Sequence, residues 1–109
     1  MAKIDDFVTV TKPLKYGLKI GSETHKDVVV RDGNLADFFA AEKLASTDQT
    51  VTFEAALLIE RIIRVGTFDG TLTMDIMGRL RPADFSVMRA AMKEAETLGE
   101  STPEATPGT

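Results

Sequence analysis

The side chains able to do chemistry in this 109-residue chain are few and scattered. There is no cysteine, which rules out a disulfide framework, a Cys-based zinc site and thiol catalysis. The single histidine, His25, follows a Gly21-Ser22 turn and is expected at the surface. A Ser–His–Asp arrangement needs an imidazole to take the nucleophile's proton, and a lone turn histidine is poorly placed for it. Neither a GxxxxGK[ST] loop nor a GxGxxG turn is present, so the familiar phosphate cradles are missing. Asp69-Gly70 is too short a fragment of a calcium loop to mean more than a turn. Three sets of carboxylates remain for acid–base work or Mg²⁺: Asp5-Asp6, Asp37 with Glu42, and Asp75 with Asp84. Acidic residues at helix starts usually complement the helix dipole, and Asp84 fits that role. The sequence therefore predicts no catalytic residue, no metal and no cofactor.

Two other groups of residues point to binding. Lys12, Lys15, Lys19 and Lys26 could form a basic sheet face for RNA, but base recognition on sheets adds aromatic rings for stacking. Tyr16 is expected on the apolar face, away from the lysines, so a solvated face that discourages edge pairing is the preferred reading. Four of the five methionines, Met74, Met77, Met88 and Met92, fall in the last third of the chain. Methionine is flexible and polarizable, filling core gaps and also serving surfaces that accept variable apolar partners. Met74, Met77, Phe85, Met88 and Met92 are the candidate partner-binding residues, with Met88 and Met92 foremost. The same surplus of apolar helix surface leaves room for self-association.

The elements that must position these residues follow from periodicity. Leu14, Tyr16, Leu18 and Ile20 alternate with Lys15, Gly17 and Lys19, the period of a half-buried strand. Gly21-Ser22 turns the chain, and Lys26 to Arg31, with Val28-Val29-Val30, reads as the returning strand. Phe7 to Thr11 is β-prone and is either an edge strand or a lead-in. After Asp32-Gly33 the spacing becomes helical. Asn34 caps a helix from about Leu35 to Ala45, with Phe38 and Phe39 directed at the sheet. A second helix, capped by Thr50 or Thr52, is expected to run to about Val65 and stop at Gly66. Its apolar face is Ala55, Leu58, Ile59, Ile62 and Ile63, with Glu54, Arg61 and Arg64 opposite. Thr73 caps a short helix from Met74 to Leu80, and Pro82 opens a last helix that Gly99 ends.

The resulting class is α+β: an N-terminal antiparallel β-hairpin, with a third strand open, packed against a bundle of three to four helices. The expected organisation is a lead-in over 1–11, one domain over 12–99 and a disordered tail over 100–109, which has no large apolar residue. A net charge of -4 argues against a general nucleic-acid binder. The N-terminus lacks a signal peptide's apolar core. The longest dense apolar stretch, Ala55 to Ile59, is far below the roughly 20 residues that span a bilayer. A soluble intracellular protein is expected.

Several short signatures, in order, resemble the small tail assembly chaperones of Mu-like and P2-like bacteriophages. They begin with Lys12-Pro13-Leu14 at the entry to the first strand. Val28-Val29-Val30-Arg31-Asp32 ends the second, and Leu35-Ala36-Asp37 opens the first helix. Ile62 to Gly66 closes the central helix, and Leu80-Arg81-Pro82-Ala83-Asp84-Phe85 matches a Leu-x-x-x-Asp step before the last one. Gly33 departs from the family, which often has proline after the Arg–acidic pair. The resemblance implies a non-catalytic protein, of a phage or prophage, that binds the tape measure protein in the host cytoplasm and keeps it soluble. It further implies help to the tail tube protein, through a longer frameshifted form in many phages, and departure before the virion is complete. A minor structural protein of the tail, and a small cytoplasmic regulatory or nucleic-acid-associated protein, are the alternatives.

Overall fold

The computed structural model describes residues 7–46 and 48–100. Strands β1 (Thr9–Ile20) and β2 (Glu23–Arg31) form an antiparallel hairpin across Gly21-Ser22, where Gly21 takes a φ of 64°. The chain continues through α1 (Leu35–Glu42) and α2 (Thr50–Arg61) into β3 (Ile62–Val65), then α3 (Met74–Met77) and α4 (Pro82–Glu100). The sheet is three-stranded and antiparallel in the order β1-β2-β3. The α+β class, hairpin and four helices stand as expected.

The third strand is not where the sequence suggested. Thr9 to Thr11 are the first residues of β1, continuous with the hairpin through Pro13, and pair with Arg31, Val30 and Val29. The added strand is instead Ile62–Val65, expected as the last turn of the central helix. The helical spacing of Ala55, Leu58, Ile59, Ile62 and Ile63 is real, but the helix stops at Arg61 and Ile62 turns extended (φ -78°, ψ 123°). Three of the four residues in β3 are β-branched, and the open edge of β2 offers unpaired backbone groups to them. Gly66, predicted as a helix stop, takes a φ of 58° in the turn after β3 and donates its N–H to the Asp27 carbonyl at 2.8 Å.

Smaller boundaries shift too. Gln49 stands at the N-cap position of α2 instead of Thr50 or Thr52. The short helix ends at Met77, although Thr73 caps it as expected, accepting the Ile76 N–H at 3.2 Å. The last helix continues through Gly99 to Glu100. Of the two aromatic anchors of α1, Phe38 packs near Phe53, whereas Phe39 is 58% exposed. Of the tail expected over 100–109, Glu100 instead ends the last helix; residues 101–109, like Asp5-Asp6, lie outside the described residues.

One core joins the sheet to α2, α3 and α4. Val10, Leu14, Leu18, Val28, Val30 and Val65 supply the sheet side; Leu58, Met77, Met88, Ala91 and Ala95 supply the helix side. Small residues at Ala91 and Ala95, both fully buried, let α4 lie close against the strands. A smaller cluster of Ala41, Ala45, Ala56 and Leu57 holds α1 on α2.

A polar contact sets where α4 begins. Between Pro13 and Leu18 the strand register slips, so that Leu14 to Gly17 arch away from the ladder. An arch leaves backbone N–H groups without partners, and buried donors must find acceptors. The carboxylate of Asp84, fully buried in the first turn of α4, accepts all three: Lys15 N–H at 2.6 Å, Tyr16 at 2.9 Å and Gly17 at 2.9 Å. Asp84, expected merely to complement the helix dipole, is the plug of the arch. Tyr16 is correspondingly turned outward and 44% exposed, not on the apolar face. Gly17 takes a φ of 91°, and a Cβ there would come within 2.7 Å of Thr24 Cγ2 and 2.9 Å of the His25 carbonyl oxygen.

Asp84→Ala leaves three N–H groups without their acceptor and should cost at least about 3 kcal/mol, each orphaned donor costing roughly 1–3. Urea denaturation read by circular dichroism would measure it. Gly17→Ala should cost about 1–3 kcal/mol through positive φ and crowding, seen as a lower urea midpoint with an unchanged slope.

Candidate functional site

The paired carboxylates do not form acid–base sites. Asp37 is buried, whereas Glu42 is exposed; Asp75 is exposed and bound to Arg79 at 2.9 Å, whereas Asp84 is sealed in the arch. No group of three or more His, Cys, Asp or Glu residues among the described residues could hold a metal ion. His25 is buried, against expectation, at 7% exposure. It lies under the turn after β3, its ring 6.4 Å from that of Phe68, and a Cβ on Gly66 would strike the imidazole.

Asp37 is the centre of a polar cluster that the sequence did not reveal. Arg31, at the end of β2, donates to both its oxygens at 3.0 and 3.2 Å and to the Glu60 carbonyl at 2.9 Å. Arg61, the last residue of α2, donates from Nε to Asp37 Oδ2 at 3.1 Å and pairs with Glu96 of α4. Arg61 is 2% exposed, although the helical pattern placed it on the solvent side. It is buried because α2 ends there and α1 and α4 close over it; its guanidinium also lies 5.5 Å from the Phe38 ring. Asp37 further accepts the Asn34 N–H at 3.2 Å, which fixes the start of α1. A Cβ on Gly33 would run into the Asp37 carboxylate, so this residue type is required by close approach.

Burial pushes the Asp37 carboxyl up, but the hydrogen bonds and charges of Arg31 and then Arg61 outweigh it and hold the group below its usual range. Four elements, β2, α1, α2 and α4, thus meet on one carboxylate and its two guanidinium groups.

The candidate binding residues separate. Met88 is fully buried and Met77 is 5% exposed, so Met88, the foremost surface candidate, is core packing. Its stripe on α4 is the one facing the sheet. Met92 is half-buried above a shallow depression with Glu54, Arg89 and Glu96. Met74, Met77 and Phe85, by contrast, meet in an open groove of about 470 Å³ between α2, α3 and the start of α4. Val51, Ala55 and Leu80 share the lining. Val51 was not singled out in the sequence, yet at 65% exposure it is an apolar wall of this groove. Arg89 lies 5.3 Å from the Phe85 ring and pairs with Glu54 at 3.1 Å, tying α4 to α2 beside the opening.

The arrangement is that of a small α+β protein whose polar clusters hold helices around an open apolar groove. A family model described as tail assembly protein gp41 matches residues 14–106. The chain belongs to this family of bacteriophage tail assembly proteins. No curated protein and no solved structure matches it.

Asp37→Asn should destabilise the protein by about 3 kcal/mol at pH 7, because the partly buried Arg31 loses its counter-charge and the buried Arg61 keeps only Glu96. With the folded pKa held below the unfolded value of about 3.9, the Asp37 contribution is complete above that value. It fades as pH falls through the folded pKa. The stability gap between variant and parent, measured in urea, should therefore narrow below about pH 4.

Proposed function

We propose that this protein is a non-catalytic chaperone of tail assembly, which binds the tape measure protein in the host cytoplasm and keeps it soluble while the tail tube forms. The observation that carries this role is the open apolar groove of Met74, Met77 and Phe85 in a member of a tail assembly family. A tape measure protein is long and helical, with apolar seams that attract one another until the tube encloses them. A groove between helices suits an amphipathic helix laid into it, and methionine side chains adapt to seams of varied shape. The net charge of -4 would help keep the complex dispersed. On this account the chaperone leaves before the virion is complete, and a longer form could contact the tail tube protein.

Co-expression with the tape measure protein tests the role. Met74→Asp with Phe85→Asp should leave the circular dichroism spectrum unchanged and send the tape measure protein into the insoluble fraction. A folded double variant that still keeps it soluble would overturn the groove as the binding surface. Recovery of the chain from purified virions by mass spectrometry would favour a retained structural component.

A further inference from the structure

The arch that receives Asp84 also projects a cationic cluster that neither the family nor the groove accounts for. Tyr16, turned outward, carries the Arg81 guanidinium 4.6 Å from its ring centroid and the Lys15 ammonium at 5.6 Å. Both cations are exposed, and neither forms an ion pair among the described residues. Arg79 extends the cluster, reaching the Lys19 carbonyl at 3.5 Å. In a chain of net charge -4, two cations without an ion pair at one ring, with Arg79 beside them already paired to Asp75, are a local reversal of sign. A guanidinium over an aromatic ring spends none of its N–H donors on that contact, and those donors can take a carboxylate in two parallel hydrogen bonds.

We propose that Lys15, Tyr16 and Arg81 form a docking surface for an acidic protein segment, one presenting Asp or Glu side chains. Nucleic acid suits it less. The ring already holds two cations, which compete with a base for its face, and base-binding sheets offer several rings. Tyr16 acts as a positioning residue here, fixing Arg81, while Lys15 and Arg81 meet the carboxylates. The arch makes the surface possible: plugging by Asp84 holds the Lys15–Gly17 backbone still, and the same turn of chain delivers Arg81 three residues earlier. Residues on either side of Arg79 and Arg81, Gly78, Leu80 and Pro82, line the groove, so the two surfaces share an edge.

Fluorescence anisotropy with a labelled oligoglutamate peptide, which has no apolar side chain for the groove, tests the surface separately from the proposed function. The peptide should bind at low salt, and Lys15→Glu with Arg81→Glu should weaken it by at least about tenfold, as expected for reversing two exposed cations. Lys43→Glu with Lys93→Glu, an equal charge change elsewhere, should leave binding within about twofold, as should Met74→Asp with Phe85→Asp. Tyr16→Leu should weaken binding while thermal unfolding reports a folded protein. Equal loss from both charge-reversal pairs would overturn the proposal, as would no binding at low salt. Tighter binding of an oligothymidine strand than of the peptide would assign the surface to nucleic acid and overturn it as well.

Discussion

Three backbone N–H groups converging on the buried carboxylate of Asp84 are the contact on which the rest of the structure depends. Without an acceptor there, the arch in β1 would bury orphaned donors and the strand could not leave its ladder. With it, the start of α4 is pinned to the middle of β1, and Met88, Ala91 and Ala95 then fall along the sheet. The same contact decides that Tyr16 faces outward and that Phe85, the next residue after Asp84, opens into the groove.

The cluster around Asp37 does comparable work at the other end. It joins the end of β2, the start of α1, the end of α2 and the later part of α4. Buried ion pairs are weak as a source of net stability but penalise any arrangement that leaves a charge unpaired. Two such clusters, at opposite ends of α4, position the long helix where alanine-rich packing alone would tolerate sliding. That explains how a small core can keep a groove open beside it: the groove's walls are held by polar contacts outside it.

Three of the five short signatures that carry the family resemblance fall on these clusters. Arg31, Asp32 and Asp37 lie at one, and Leu80 to Phe85 at the other. Asp32 itself accepts the Val8 N–H at 2.8 Å, closing the entry to β1. The signatures are thus marks of how the fold is assembled; the last of them also lends Leu80, Pro82 and Phe85 to the groove, whose other residues, Met74 and Met77 among them, lie outside the signatures. Membership of a tail assembly family and the identity of its binding surface are separate matters in this chain.

Local pattern alone determined the hairpin, its Gly21-Ser22 turn, the presence of α1, α2 and α4, and the Thr73 cap, because alternation, helical spacing and capping act over a few residues. It also placed Met74, Met77 and Phe85 among the binding candidates. A glycine at position 17, inside an alternating strand, was the one local sign of the arch. Tertiary structure decided the remainder. Ile62–Val65 satisfies helical spacing and strand propensity alike, and only the free edge of β2 resolved it into β3. Met88 and Met92 share a stripe, yet only the sheet's position buries the first completely. Arg61, Asp37 and Asp84 look like surface charges in sequence because a charge is buried only when distant residues supply its partners, and those partners meet only once the chain has folded.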